Sequence, residues 1–411
     1  MEQQTKSLAS IFFVFAGYVL SVTAFVLGGT VGSQLTFQQG ILCLLVGDMI
    51  LGLYAGLIGY VGFRTQKSSA DLFKPVFGRK GQVIAATVVS LFSLIFVSVY
   101  SSLVGSMMSS LFNLNNPFIG LFLYLILITF INLKGFKGMS VISNLGVPAI
   151  GIFVIYGMIV IAQKIGFSNV TTAVPSTPAS FFAVLSTVVA SWTTGATFSS
   201  DITRYVKKGR LVFFVTFGSF LCVTVLESVG LICALGTGES NIVTILGQLH
   251  MSGVAFIIYL LLTITSGQAV VFIAAQALAN VANVIKKEEA PEKAITANSF
   301  IVPISVFAAI VAVFMTINGF TNSFLSALSL IGIFIPPVGG AIVSHYFFVE
   351  REYVKTFENM PEYRPIAFVA WIVGVLVSKF LPMGIHPLNG FITAIILYFV
   401  LRKVTDKKDA A

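Results

Sequence analysis

The stretch GYVLSVTAFVLGGTVG, residues 17–32, lies inside a window from residue 7 to residue 47 that contains no Asp, Glu, Lys or Arg. It combines the length of a membrane span with glycines, Gly17 and the pair Gly28-Gly29, at which a helix breaks easily. Irregular backbone at membrane depth persists only where protein or a polar cavity satisfies its hydrogen bonds. The stretch therefore predicts an interrupted membrane helix. The alternative is a continuous helix whose glycines serve close helix packing.

Charge-free windows recur along the chain, at residues 81–133, 138–163, 165–200, 240–285 and 294–349. Each window admits one or two spans of about 20 residues, the length that crosses a hydrocarbon core of about 30 Å. Of the 411 residues, 57% are hydrophobic and only 9% are charged, against about 25% charged in a soluble domain. We expect an all-α polytopic membrane protein. Soluble, disordered, fibrous and disulfide-stabilised classes are excluded.

The windows and their Gly, Pro and Asn breaks predict twelve transmembrane helices. These are residues 9–30, 39–63, 82–108, 117–133, 139–163, 179–200, 211–236, 252–285, 299–318, 323–349, 365–380 and 387–402. If both termini are cytoplasmic, 22 of the 24 Lys and Arg residues fall in cytoplasmic segments, and only Lys164 and Lys379 fall outside. The net charge of +9 is then a topology signal and predicts no nucleic-acid partner. We expect a multi-pass protein of a prokaryotic inner (cytoplasmic) membrane, with the lipid bilayer as its surroundings.

A second breakable segment is ASWTTGATFSSDITRY, residues 190–205, in which Gly195 lies among hydroxyl side chains. Related elements, GVPAIG and IPPVGGA, occur at corresponding depths of the fifth and tenth spans. This pattern predicts a 5+5 inverted repeat with broken helices 1 and 6, an arrangement that binds substrate near the bilayer midplane. The predicted domains are a tail at 1–8, repeats at 9–163 and 179–349, helices 11 and 12 at 365–402, and a tail at 403–411.

Four segments carry a resemblance to a known family. They are FGRKG (77–81), VISNLGVPAIGI (141–152), SWTTGATFSSDITRY (191–205) and IPPVGGAIVSHYFFVEREY (335–353). Together they resemble the bacterial cytosine permeases of the nucleobase:cation symporter family, over about residues 15–402. The resemblance implies a leucine-transporter-like fold of twelve helices, in which a cation drives uptake of a heterocyclic base by alternating access.

The resemblance also implies a cation site. Matching segments give it the carbonyls of Gly17, Leu20 and Leu262 together with the hydroxyls of Thr265 and Ser266. A dehydrated Na⁺ requires such hard oxygen ligands, and a broken helix facing hydroxyls provides them. The alternative is that both hydroxyls bond back to their own helix, as Ser and Thr commonly do. We expect Na⁺ as the coupling ion, with H⁺ as the alternative, and no other cofactor.

A flat heteroaromatic substrate is best held between aromatic faces, with its edge hydrogen-bonded by short polar groups. Trp192, flanked by Ser191 and Thr194, lies at the predicted break of helix 6, and Phe96 occupies the family's stacking position one turn from Ser93. A Phe at such a position is otherwise ordinary packing. Where the family presents amides to the base, this chain has Ser93 in helix 3 and Leu262 in helix 8, or Thr263 if the register shifts by one.

The loss of two hydrogen-bonding amides argues against unchanged cytosine specificity. A site that carries such amides rejects a wrong ligand because the amides would then be left without hydrogen-bond partners. A purine, another pyrimidine and a hydroxymethylpyrimidine-type vitamin precursor remain open. An amino acid or other small solute carried on the same fold is the main alternative.

Acidic residues within the spans are costly and are neutral, paired or functional. Asp48 in helix 2 and Glu227 in helix 7 are candidates for proton coupling, with a neutral or paired role that joins helices as the alternative. Asp201 and Arg204, at the cytoplasmic end of helix 6, are candidates for an ion pair at an inner gate, or for helix-end groups. Lys379 and the nearby His386 are interpreted as interfacial anchors.

An intramembrane enzyme is the competing class. The three histidines lie in separate segments, and the sequence has no HExxH or GxSxG motif and no paired catalytic carboxylates. The three cysteines are embedded in apolar runs without metal-ligand spacing. We therefore predict no catalytic residues, and a secondary active importer of a nucleobase or related heterocycle.

Overall fold

A computed structural model of the chain describes residues 7–164, 166–239, 252–286, 294–350 and 360–409. Within these residues every regular element is a helix. Seven helices are long and apolar enough to cross a bilayer, and an eighth span results if the bent pair at the amino terminus counts as one. The predicted all-helical membrane class is confirmed.

The described residues form eighteen α-helices and one π-helix. In chain order they are α1 (Leu8–Val19), α2 (Val22–Gln34), α3 (Phe37–Thr65), α4 (Ser69–Phe77), α5 (Gln82–Leu111), α6 (Pro117–Asn132), α7 (Gly135–Lys164), α8 (Phe167–Thr172), α9 (Phe181–Ser191), α10 (Thr193–Thr197), α11 (Ser200–Thr203), α12 (Gly209–Thr237), α13 (Ser252–Lys286), α14 (Asn298–Ile317), α15 (Phe320–Phe334), α16 (Pro336–Ser344), a π-helix (His345–Val349), α17 (Pro365–Phe380) and α18 (His386–Asp409).

The first predicted span is divided between α1 and α2, whose axes differ by 53°. Leu20 and Ser21 between them have extended backbone, with ψ of 102° and 164°. The break contains no proline. Backbone hydrogen bonds of the residues that border it define where α1 ends and where α2 begins. The Leu20 N–H closes α1 on the Ala16 carbonyl, and the Ser21 carbonyl accepts the Ala24 N–H as α2 begins. The last carbonyls of α1 are thereby left without helical partners.

The segment predicted as the sixth span is divided into α9, α10 and α11, with Trp192 in a non-helical conformation at the first break. Hydroxyls satisfy the freed backbone there: Ser191 donates to the Val188 carbonyl at 2.7 Å and Thr193 to the Ala190 carbonyl at 3.2 Å. The predicted span 323–349 is present as one span, Ser323–Val349, within which α15 ends at Phe334 and α16 begins at the Pro336-Pro337 pair. Pro148, in contrast, lies inside α7, which continues through it.

Five glycines of α3 form what we call the glycine seam: Gly47, Gly52, Gly56, Gly59 and Gly62. An added Cβ at each would meet side chains of α9, α11 or α12, namely Val188, Phe217, Phe213, Thr203 and Ser200 respectively. Small residues allow such close helix contact in a membrane, where no hydrophobic effect drives helices together. Because of the seam, α3 packs against α9–α11 on one side and α12 on another.

Two packing groups result from these contacts. In the first, α2, α3 and α12 pack together with the broken segment α9–α11. In the second, α5 packs with α6, α13 and α14. Helix α1 contacts α12 of the first group and α13 of the second, so it lies on the boundary between them.

Helix α4 occupies a segment for which the sequence predicted only a connection between the spans 39–63 and 82–108. Ser68 caps it, accepting the N–H of Asp71 at 3.3 Å and donating to the Asp71 carboxylate at 2.7 Å. This S-x-x-D pattern is a capping box, a local signal that was present in the sequence. Residue Ser69 then contacts α11 through Ser200, with 2.6 Å between the two hydroxyls, and Asn280 of α13 donates to Asp71 at 3.1 Å.

Candidate functional site

The predicted cation ligands come together where α1 ends. The Ser266 hydroxyl on α13 lies 2.7 Å from the Leu20 carbonyl and 3.2 Å from the Gly17 carbonyl. Thr265 is adjacent and donates to the Leu262 carbonyl at 3.0 Å, so it follows the back-bonding alternative, whereas Ser266 bonds across to α1. All three α13 residues are buried. The site therefore brings two carbonyls freed by the helix break against a hydroxyl of a facing helix.

A third wall of this cluster comes from α7, which sequence reasoning did not assign to it. An added Cβ at Gly17 would lie 3.1 Å from Ser143 Oγ, and one at Gly146 would lie 2.7 Å from the methyl group of Thr265. Ser143 Oγ is buried and makes no hydrogen bond within the described part of the chain. The VISNLG motif is the signal that marks this helix, and its role here is close packing on the broken helix.

The predicted stacking residues, Phe96 and Trp192, also come together, but directly on each other. Their ring centroids are 5.2 Å apart and their planes differ by 4°. Tyr18 packs edge-on against Trp192 at 5.6 Å. A planar base between two rings needs two layers of van der Waals contact, about 7–8 Å in all. The two stacked rings therefore have to move apart by one further layer, about 3.5–4 Å, to admit a substrate between them.

The side chains predicted to face the edge of the substrate are all buried. Ser93 donates to the Val89 carbonyl at 3.0 Å and Ser191 to the Val188 carbonyl, so both hydroxyls bond to their own helices. Thr194 follows Trp192 in α10 and is buried, as is Leu262 on α13. The neighbouring Thr263 offers its carbonyl to the Tyr124 hydroxyl at 2.7 Å.

A cavity of about 360 Å³ lies beside the carboxyl-terminal end of α2. Its wall reaches Ala190, two residues before Trp192, and carries polar side chains of α2, α9 and α15. Lys379 and His386, interpreted from the sequence as interfacial anchors, both line it. The cavity thus extends to within two residues of Trp192 along α9, and sequence patterns did not predict it because its walls come from five separate helices.

The two acidic residues predicted within spans, Asp48 and Glu227, lie together. Both are fully buried between α3 and α12, and the Thr224 hydroxyl donates to Asp48 at 2.6 Å. The two residues were predicted in spans 2 and 7, which are α3 and α12 in the structure. No local sequence pattern predicts that these helices pack together.

The predicted ion pair between Asp201 and Arg204 is not formed in the described residues. Asp201 accepts the backbone N–H of Ser69 on α4 at 3.3 Å. Arg204 follows the end of α11, where its guanidinium donates to the Tyr205 hydroxyl at 3.0 Å and lies over that ring. The carboxylate instead anchors α4 at this end of the broken segment.

Asp71 on α4 differs from Asp201 because it has a positively charged partner. Lys74 forms an ion pair with Asp71 at 2.7 Å. Burial raises the pKa of Asp71, but the Lys74 charge and hydrogen bonds from Lys74, Ser68 and Asn280 outweigh it and hold the pKa at about 2. Asp71 is therefore ionised at neutral pH, and α4 is fastened to α13 by a charge-assisted contact.

Residues 1–401 match a family described as permease for cytosine/purines, uracil, thiamine and allantoin. The chain belongs to this permease family. Cytosine permease of Escherichia coli (strain K12) is 24% identical over 414 residues, which cover 99% of this chain and 93% of that protein. Family membership places the chain among transport proteins of the membrane and not among enzymes.

Solved structures support the same architecture for this permease. Mhp1, a nucleobase-cation-symport-1 family transporter in a closed conformation with bromovinylhydantoin bound, superposes with a TM-score of 0.83 at 16% identity, covering 99% of this chain and 94% of Mhp1. A Na⁺-coupled sialic acid symporter superposes with a TM-score of 0.70 at 13% identity, covering 98% and 90%. At these identities the likeness shows the fold of the permease alone.

Proposed function

We propose that this permease is a secondary active symporter that imports a nucleobase or closely related heterocycle by alternating access. The observation that carries the proposal is that both candidate sites lie on the boundary between the two packing groups. Gly17 and Leu20 of α1 face Ser266 of α13, and Trp192 of the first group stacks on Phe96 of the second. Ligands bound at such a boundary can bias the relative position of the two groups.

The coupling cation in this proposal is Na⁺, held by the carbonyls of Gly17, Leu20 and Leu262 and the hydroxyls of Thr265 and Ser266. In the structure the Ser266 hydroxyl bridges the two α1 carbonyls, which supports the grouping of these oxygens. The Na⁺-coupled sialic acid symporter of the same fold is consistent with this ion. Protons are the alternative coupling ion.

The substrate in this proposal separates Phe96 from Trp192 and takes the place of their mutual stacking. Its edge then faces Ser93, Ser191, Thr194 and Leu262. The hydantoin bound by Mhp1 and the cytosine named for the Escherichia coli relative are both small planar heterocycles, which supports a substrate of this shape. Because two hydrogen-bonding amides are missing, we expect a specificity different from that of cytosine permeases, with a purine, another pyrimidine and a hydroxymethylpyrimidine-type precursor as candidates beside cytosine.

The proposed architecture has twelve spans in a 5+5 inverted repeat, residues 9–163 and 179–349, followed by helices at 365–402. Both termini are cytoplasmic in the inner membrane, as the distribution of Lys and Arg indicates. The cavity lined by Lys379 and His386 then opens outward and serves as the entry route, while α4 lies on the cytoplasmic side, where it covers the exit.

Uptake of radiolabelled cytosine and hypoxanthine tests the function. Cells or proteoliposomes that contain the protein are assayed with an inward Na⁺ gradient, with a proton gradient alone, and with neither, in competition with a panel of bases, hydroxymethylpyrimidine and amino acids. We expect Na⁺-stimulated uptake that is inhibited by planar heterocycles. Competition by amino acids, and not by heterocycles, would contradict the proposed substrate class.

A further inference from the structure

Asp48 and Glu227 lie at the same depth of two antiparallel helices. The contacts between α3 and α12 run from Gly40 against Leu231 to Gly56 against Phe213. Asp48 comes eleven residues after the start of α3 at Phe37, and Glu227 comes ten residues before the end of α12 at Thr237. At 1.5 Å per residue, both carboxyls are roughly 15 Å from those helix ends, well inside the hydrocarbon region.

The two carboxyl groups face each other, and one donor from the protein, the Thr224 hydroxyl, reaches Asp48. The Thr224 hydroxyl, one turn before Glu227 on the same face of α12, donates to Asp48 Oδ2 at 2.6 Å. Glu227 is the acidic neighbour of Asp48 across the contact between α12 and α3. The other three carboxyl oxygens, Asp48 Oδ1 and both oxygens of Glu227, have no partner among the described residues. Glu227 is thus a fully buried, unpartnered side chain aimed at a second acid.

Positive charge is lacking around the pair in the part of the chain that the structure describes. Its neighbours on α3 and α12 are Thr224 and the thiol of Cys43, the latter being the other titratable group that faces it. Helices α2 and α8, which also pack on α12, contain no titratable residue. On α1, Tyr18 faces Trp192; on α7, Tyr156 is exposed, and Lys137 and Lys164 lie within three residues of the helix ends. Of the other elements packed on α3, helices α9, α10 and α16 contain no titratable residue, and Asp201 of α11 accepts the Ser69 N–H. No described Lys, Arg or His pairs with either acid.

Two ionised carboxylates cannot share this position. A single buried ion costs several kcal/mol even after relaxation, and a second like charge in contact adds to that cost. A proton between the two groups removes one charge and supplies a donor to oxygens that have none. We propose that Asp48 and Glu227 form a proton-binding site, separate from the candidate cation site, that holds at least one proton at neutral pH.

Proton binding here also supports the broken helix. Gly28 of α2 packs directly on the backbone carbonyl of Glu227, with no room for a Cβ between them. Helix α2 begins two residues after Leu20, one of the candidate cation ligands. Loss of the proton places two negative charges between α3 and α12 and forces these helices apart, which removes the surface on which α2 rests.

Infrared spectroscopy of the purified protein in detergent at neutral pH tests the proposal directly. We expect a carbonyl stretch from a protonated carboxyl in the wild type, with intensity that falls in the Asp48→Asn/Glu227→Gln variant. The matched control, Asp71→Asn, removes a carboxylate that is ionised beside Lys74 and leaves this band unchanged. A wild-type spectrum with carboxylate bands alone overturns the proposal, as does a band that the double substitution does not reduce. If the double variant does not fold, Asp48→Asn and Glu227→Gln are compared singly, and at least one must reduce the band.

Thermal unfolding in detergent gives a second readout that is independent of transport. Because the folded state would hold a proton that the unfolded chain releases, stability falls as pH rises. We expect the wild-type midpoint to fall on going from neutral to alkaline pH more steeply than that of Glu227→Gln, whose amide is neutral throughout. Parallel curves for the two proteins overturn the proposal, and neither result depends on which substrate or coupling cation the permease uses.

Discussion

Ser266→Ala removes a hydroxyl that joins two helices at the end of α1. In the structure this hydroxyl reaches the Leu20 carbonyl at 2.7 Å and the Gly17 carbonyl at 3.2 Å. When a cation occupies the site, the same oxygen becomes one of its ligands in our proposal. Alanine keeps the volume of the helix surface nearly unchanged, so the substitution tests the oxygen and not the packing.

The expected loss follows from the strength of one charge-assisted contact. A hydrogen bond or ligand contact to a charged group contributes about 1.5–3 kcal/mol, and about 1.4 kcal/mol corresponds to a tenfold change in affinity. Ser266→Ala should therefore weaken Na⁺ binding by roughly tenfold to a hundredfold. Thr265→Ala should weaken it by a similar factor, and the double substitution should abolish Na⁺-stimulated uptake.

The assay is the Na⁺ concentration that half-saturates base uptake in proteoliposomes, together with the Na⁺-induced shift in thermal unfolding of the purified protein, which follows ligand binding to the folded state. Ser98→Ala is the matched control, because Ser98 is a buried serine of α5 whose hydroxyl donates to its own helix at the Leu94 carbonyl. Unchanged Na⁺ half-saturation in both Ser266→Ala and Thr265→Ala, with uptake still dependent on Na⁺, would refute the assignment of this site.

Three further predictions concern the rings, the α2 contact and α4. Phe96→Leu removes a stacking face worth about 1–3 kcal/mol per base and should raise the KM for base uptake, whereas Phe92→Leu, on the same helix, should not; equal KM values would contradict a stacking role. Gly28→Ala places a Cβ against an α12 backbone carbonyl and should cost about 1–3 kcal/mol in thermal unfolding, while Gly151→Ala, with no atom within 4 Å of its Cβ, should cost nothing; an equal effect of both would exclude the contact. The pKa of Asp71 is held at about 2, below its ordinary 3.8, so its stabilising contribution is present above pH 3.8 and is lost as pH falls toward about 2; Asp71→Asn should remove this acid-dependent part from a pH series of unfolding midpoints.

The membrane class could be predicted because it depends on local composition, whereas the first break was predicted only approximately, since Gly28-Gly29 lies inside α2. Gly17 and the charge-free window around it mark a breakable span, and the structure places the break at Leu20 and Ser21, without a proline. The span predicted at 323–349 is likewise present as Ser323–Val349, with the change from α15 to α16 at the Pro336-Pro337 pair. Helix α4 was missed because its nine residues are too short to stand out in a search for spans, although its capping box was legible.

The features of the site that could not be predicted from sequence patterns depend on which helices pack against each other. Glu227 meets Asp48 only because α12 packs antiparallel to α3, and nothing near either residue encodes that pairing. Direct stacking of Phe96 on Trp192 depends on how closely the two packing groups approach, which is a property of the whole assembly. Asp201 was a candidate for pairing with Arg204 or for a helix-end role, but it accepts the backbone N–H of Ser69 on α4, a contact that depends on how α4 packs.

The glycine seam of α3 indicates which parts of the molecule keep fixed distances while the permease works. Since side chains of α9, α11 and α12 pack directly on the glycine backbone of α3, small displacements along these contacts would produce steric clashes. Spin labels placed on α3 and α12 are then expected to report one narrow distance throughout turnover, whereas labels on α3 and α5 would report two populations. The distance between α3 and α12 can thus serve as an internal reference for measuring the movement of α5, α6, α13 and α14.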